Sequence, residues 1–278
     1  MKFTSVTKLK TWAKMKGEET QTPPEIIMRT YMMERFLERI SLSQYKDNFI
    51  LKGGFLIASM VGLDMRSTMD MDTTIKGIFI NEEILKGIVD EIMSIDAHDG
   101  ITFELLSAKP IRDISEYDDF NFSIRCWFEK LRQDIRIDIT IGNLILPSEI
   151  THDYQLLFEN RTIQVKAYNL YTVLAEKIDA ILSNNIHNTR TRDYYDIYLL
   201  VGLYKERIDR KKFSEILQVK MNEKNHNVYL DNQKLYVQKI SEHTPIINMW
   251  EEYTKIYGFA KNITFTDVLV SLNWLLQN

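Results

Sequence analysis

Four isoleucines at positions 135, 137, 139 and 141 alternate with Asp134, Arg136, Asp138 and Thr140, and this run constrains the fold more than any other. Successive side chains on a strand point to opposite faces, so a period of two dictates a strand with one apolar and one polar face. A second run repeats the pattern: Phe120, Phe122, Ile124, Cys126 and Phe128 alternate with Asn121, Ser123, Arg125 and Trp127. Apolar faces this regular must be covered, which calls for a sheet backed by helices. Shorter strand candidates are residues 49–51, 69–75, 101–106 and 162–166.

The rest of the chain follows the helical period. The first 45 residues read as helices, with Pro23 and Pro24 after Thr22 marking a helix start, because proline is tolerated in the first turn. From there Ile26, Ile27, Tyr31, Phe36, Leu37 and Ile40 recur at roughly helical spacing with charged residues between them. Beyond about residue 168 the pattern is helical to the end, as in residues 170–182 and 194–204. No repeat or low-complexity segment interrupts it. The expected fold class is therefore α+β: a small mixed-sheet core with N-terminal helices and a helical C-terminal domain. The expected domains are residues 1–165, of which 1–45 are a helical lead-in, and residues 166–278.

Composition removes several classes. A chain of 278 residues that is 45% apolar and 27% charged is too apolar for disorder. One cysteine cannot form an internal disulfide or a thiolate zinc site, which favours a reducing compartment. Cys126, on the apolar face of its strand, is expected to be inert core. The longest apolar stretch, residues 55–63, is too short to span a bilayer, and the basic N-terminus lacks the apolar core of a secretory signal. A cytoplasmic protein without membrane contact is expected. The net charge of −4 gives no global basic field, although residues 166–278 carry 15 basic against 13 acidic side chains and residues 1–165 carry 20 against 26.

The chemistry concentrates around Leu51-Lys52-Gly53-Gly54-Phe55, with fifteen residues separating Gly54 from Asp70-Met71-Asp72. Paired glycines after a short apolar strand let the backbone turn tightly and approach a ligand. A helix starting there, over residues 55–63, would offer free N–H groups to a phosphate. Asp70 and Asp72 on a strand share a face, where two carboxylates repel unless a divalent cation such as Mg²⁺ lies between them. A third carboxylate, Asp138, occupies the polar face of the isoleucine strand, and Asp134 shares that face four residues earlier as its competitor. Three converging carboxylates suit two-metal phosphoryl transfer. In the second half, Val173, Leu174, Ile178, Ile181 and Leu182 form an apolar stripe that contains Lys177. Such a lysine either snorkels, pairs with Asp193 or Asp196, or is held by an anion. The basic run Arg207, Arg210, Lys211 and Lys212 reads as a solvated helix end or as a contact for an RNA backbone.

The segment from Lys52-Gly53-Gly54 through Arg66-Ser67-Thr68-Met69-Asp70-Met71-Asp72 resembles the first motif of the nucleotidyltransferase-like AbiEii/AbiGii toxins, of the DNA polymerase beta-like superfamily. Leu174-Ala175-Glu176-Lys177 and Arg190-Thr191-Arg192-Asp193-Tyr194-Tyr195-Asp196 resemble the second, and the likeness covers residues 49–200. The spacer from the glycines to Asp70 is slightly long, and Thr68 stands where these toxins often have serine. The resemblance implies a nucleotidyltransferase that moves a nucleotide from an NTP, with one or two Mg²⁺ held by Asp70, Asp72 and Asp138. It assigns Gly53, Gly54, Arg66, Thr68, Lys177 and Arg192 to the nucleotide. Asp193 or Asp196, which spacing cannot separate, would be the further acidic residue.

The implied biology is the toxin of a toxin–antitoxin or abortive-infection pair acting in antiviral defence. Its acceptor would be RNA, at the tRNA 3′ end, and its partner a separately encoded antitoxin. Two competitors stand beside this expectation. One is transfer to a protein or a small molecule such as an aminoglycoside. The other is a non-catalytic nucleotide-binding or partner-binding module on the same fold.

Overall fold

The computed structural model describes residues 3–62, 64–111 and 119–277. Its elements in chain order are α1 (Val6–Thr20), α2 (Pro24–Leu42), β1 (Phe49–Lys52), α3 (Gly53–Val61), β2 (Met71–Ile75), α4 (Glu82–Ser94), β3 (Ile101–Pro110), β4 (Phe120–Phe128), β5 (Leu131–Ile141), β6 (Ile150–Gln155) and β7 (Thr162–Ala167). Helices follow: α5 (Leu170–Asn184), α6 (Thr191–Tyr204), α7 (Arg210–Glu223), α8 (Asn227–Asp231), α9 (Gln233–Glu242), α10 (Thr244–Ile256) and α11 (Phe265–Leu276). The chain divides into two compact units, residues 1–143 with 149–168, and residues 144–148 with 169–278. Mixed sheet, leading helices and helical C-terminal part are as the sequence predicts.

The first unit is built on a seven-stranded sheet of order β3-β4-β5-β2-β1-β7-β6. Its two strongly alternating strands, β4 and β5, pair antiparallel with Phe122 opposite Ile137 and Ile124 opposite Ile135. Those side chains are fully buried on one face, against which α2 packs over β5 and β7, and α4 over β3. Helix α4 and strand β6 lie outside the expected elements. The Asn81 side chain caps α4 by accepting from the Ile84 N–H, and Leu85, Ile88, Val89 and Ile92 form its buried stripe.

Helix α2 departs from a simple amphipathic pattern. Proline opens it at Pro24, and of the apolar positions read from the sequence Ile27, Tyr31, Phe36, Leu37 and Ile40 are buried and Ile26 is half-buried, but Glu34, Arg35, Glu38 and Arg39 between them are buried too. Burial of charge is tolerated only when it is paired. Arg35 pairs with Glu38 at 2.9 Å and Glu159 at 2.6 Å, while Arg161 bonds both of those carboxylates. Arg39 makes a two-pronged contact with Asp99, at 2.8 and 2.9 Å, and a third bond to the Ile101 carbonyl.

The second unit is helical. Asn169 caps α5 by accepting from the Thr172 N–H, and its amide donates to the carbonyls of Leu146 and Ser148 at 2.8 and 2.7 Å. The buried stripe of α5 contains Val173, Leu174, Ile178, Ile181 and Leu182 as expected. Among the described residues no helix is long and apolar enough to cross a membrane. Cys126 is buried and burial pushes its thiol well up, which leaves it inert.

Candidate active site

The site is assembled where β1 runs straight into α3. Lys52 ends the strand, and Gly53 opens the helix with φ at +64°, a left-handed value that glycine adopts without a Cβ penalty. A Cβ on Gly53 would sit 2.1 Å from Oδ2 of Asp72, so the carboxylate fills the space a side chain would take. A Cβ on Gly54 would meet Thr68 Oγ1 at 2.9 Å and the Arg66 guanidinium at 3.0 Å. The two glycines thus bring Asp72, Thr68 and Arg66 against one turn. Arg66 and Thr68 are buried; Arg66 donates to the Ser67 carbonyl and Thr68 to the Asp70 carbonyl. Helix α3 carries no side-chain cap at this end. Leu63, the last residue of the apolar helix expected here, lies outside the described residues.

Sheet register supplies the third carboxylate. Strands β2 and β5 are parallel neighbours with Asp72 directly opposite Asp138, and Lys52 is opposite Asp72 on the other side. Directly opposed residues share a face and neighbouring strands are about 4.8 Å apart, so the two carboxylates stand side by side. Across β4 the row continues to Asn121, whose amide donates to Asp138 Oδ1 at 2.5 Å. Lys52 donates to Thr140 Oγ1 at 2.8 Å. A polar row of Lys52, Asp72, Asp138 and Asn121 therefore crosses four strands on the face opposite the isoleucines. Asp134 is elsewhere on that face: Arg125 grips it with two bonds, at 2.9 and 3.0 Å, and holds its carboxyl below the usual range.

Two features differ from the expectation. Strand β2 starts at Met71, so Asp70 lies in the bend before it rather than on the strand. Among the described residues no three acidic, histidine or cysteine side chains are grouped closely enough to hold an ion. The three-carboxylate set is not assembled; the pair Asp72 and Asp138 is. That pair still fits Mg²⁺, which takes hard oxygen donors and is commonly held by one or two carboxylates completed by substrate phosphates.

The remaining expected residues belong to the second unit. Lys177 of α5 pairs with Asp193 at 2.6 Å and Asp196 at 2.9 Å, both on α6 and both buried. Spacing left open which aspartate faces the lysine; both do. Oδ2 of Asp193 is buried without a hydrogen-bond partner. Arg192, also on α6, bonds the Tyr257 hydroxyl at 3.1 Å. Sequence reading missed Asn121, whose only signal was a polar residue on an alternating strand. It also missed the contact of Ser59 with His152 at 3.0 Å, where burial lowers the imidazole's basicity.

A family model described as the nucleotidyl transferase AbiEii toxin of a type IV toxin–antitoxin system matches residues 35–260. The chain belongs to the AbiEii toxin family. It is accordingly a nucleotidyltransferase, and membership implies an NTP substrate and an antitoxin partner. Two solved structures from Helicobacter pylori share the AbiEii chain's fold. One, a candidate nucleotidyltransferase, is 14% identical with a TM-score of 0.52, covering 90% of this chain and 92% of its own. The other, JHP933, is 14% identical with a TM-score of 0.53, covering 91% and 90%. None of the curated proteins matches.

Proposed function

We propose that this AbiEii toxin is a cytoplasmic, Mg²⁺-dependent enzyme that transfers NMP from an NTP to an RNA acceptor, the 3′ end of tRNA, and so halts translation. The observation that carries the reading is the register pairing of Asp72 with Asp138 beside the Gly53 turn. Asp72 and Asp138 would hold the metal, which when bound neutralises charge on the phosphates. Gly53 and Gly54 give the triphosphate access to the uncapped N–H groups of α3, with Arg66 and Thr68 at the same turn. Asp138 takes the proton of the attacking hydroxyl through Oδ2, the oxygen Asn121 does not touch, while Asn121 fixes the carboxylate's orientation. The hydroxyl oxygen bonds to the α-phosphorus as the bond to the bridging oxygen breaks, and pyrophosphate leaves. Lys177 and Arg192 are the proposed cationic contacts of the nucleotide, and Asp193 and Asp196 orient Lys177.

The test is incubation of the purified protein with total bacterial tRNA, Mg²⁺ and each α-labelled NTP in turn, beside Asp72→Ala. Label on tRNA from one or two nucleotides, absent with the variant, is the expected result. No label with any nucleotide overturns the tRNA acceptor and moves protein or small-molecule acceptors forward.

A further inference from the structure

The basic run at the start of α7 is built against the grain of its own helix. A helix N-terminus carries partial positive charge and favours acidic side chains, yet the first turn of α7 is Arg210-Lys211-Lys212 with no acidic residue. The Asp209 carboxylate just before it is engaged as the cap, accepting from the Lys212 N–H at 3.1 Å. Residues 204–212 hold five cations, Lys205, Arg207, Arg210, Lys211 and Lys212, against Glu206 and Asp209. All five are exposed. Four of them lie on aromatic rings: Lys205 and Arg210 both stand 5.4 Å from the Trp274 ring, Arg207 is 5.8 Å from Tyr204, and Lys212 is 5.3 Å from Tyr171. Sequence places where local preference is violated are where function is expected. Concentrated positive charge at a helix N-terminus, interleaved with partly exposed aromatic rings, is the chemistry that tracks a phosphate backbone and stacks bases.

We propose that this surface of the second unit, formed by residues 204–212 with Tyr171 and Trp274, is the docking surface for the backbone of the RNA acceptor. The proposal rests on the RNA reading above and adds where the RNA is held. Charge decides between occupants: a polyanion gains from every cation here, whereas a protein partner would need acidic groups matched one by one.

The variant Arg207→Gln/Lys211→Gln/Lys212→Gln leaves the two cations on Trp274 and the Asp209 cap in place. Its affinity for fluorescent total tRNA, followed from 50 to 300 mM NaCl, should fall at least tenfold at about 150 mM. Its log–log salt slope should be shallower than wild type by about two to three, the loss of three phosphate contacts. A readout on the unmodified protein stands beside it: bound tRNA should shield Lys205, Lys211 and Lys212 from amine acylation while Lys130 stays reactive. Wild-type affinity and slope in the variant, with these lysines as reactive as Lys130, would overturn the proposal and make a protein partner the occupant. Failure of the transferase reading looks different: tRNA bound with the full slope and no nucleotide transferred.

Discussion

The carboxylate of Asp72 occupies the volume that any side chain at residue 53 would need. The glycine is therefore required twice, once for its left-handed φ and once for the acid beside it. Gly53→Ala should destabilise the protein by about 1–2 kcal/mol from backbone strain and lower transfer more than tenfold by displacing Asp72. In an Asp72→Ala background the same substitution should cost less, because two of the three colliding atoms are gone. Urea denaturation of the four proteins checks this, and equal losses in both backgrounds would refute the coupling.

Asp138 and Asp134 share a strand face but have different partners. Asp138→Asn should reduce transfer at least a hundredfold, and Asp134→Asn by less than twofold, since Arg125 already occupies Asp134 on an exposed surface. Initial rates with labelled NTP separate the two. Asn121→Leu should fall between them, about tenfold down, with little change in melting temperature.

Lys177 stands between two buried carboxylates, so removing it leaves like charges facing one another. Lys177→Met should cost about 3 kcal/mol, the scale of breaking a buried pair. The loss should shrink when Asp193→Asn is added. If the single variant is as stable as wild type, the lysine is not a structural counter-ion, and any loss of transfer then reports on the nucleotide directly.

Glu34 sets a pH dependence. Burial raises its carboxyl to about 8, outweighing the Leu157 N–H and the Tyr154 hydroxyl that donate to Oε1. Arg35 lies 3.9 Å from Oε2, too far for a hydrogen bond. A folded value above the unfolded value of about 4.3 means the native state keeps a proton that the unfolded chain releases. This group's contribution is thus complete below about pH 4.3, declines as pH rises, and is lost above 8. Between pH 5 and 8, urea midpoints of wild type should fall relative to Glu34→Gln; parallel profiles would contradict the assignment. Asp99 acts in the opposite sense: although burial pushes its carboxyl up, Arg39 more than offsets this and lowers it. Its contribution is present above about pH 3.9 and is lost as acid titrates the folded carboxyl.

The sheet was legible because residues 120–128 of β4 and 134–141 of β5 alternate cleanly, with apolar positions that are all isoleucine, phenylalanine and cysteine. Strand β6, Ile-Thr-His-Asp-Tyr-Gln, buries little beyond Tyr154 at the sheet's edge and so carries no period. The charges of α2 looked like ordinary helix surface, because their partners Asp99, Glu159 and Arg161 are sixty or more residues away. Sequence likewise put Asp72 and Asp138 each on a polar strand face, but register is a property of two strands, so neither their pairing nor Asn121's bond could be read from one.

The boundary between the two units is crossed three times by the backbone, since Leu144–Ser148 belongs with the helices while the strands on either side belong with the sheet. That short insertion supplies the carbonyls that Asn169, Thr172 and Lys220 bond, at 2.6–2.8 Å. A gene fragment beginning at residue 169 would therefore encode helices with three polar side chains stripped of their acceptors. One ending at residue 143 would leave the sheet without β6 and β7. The halves of this toxin are interleaved along the chain, and a recombination event that exchanges either one must carry three crossovers rather than one.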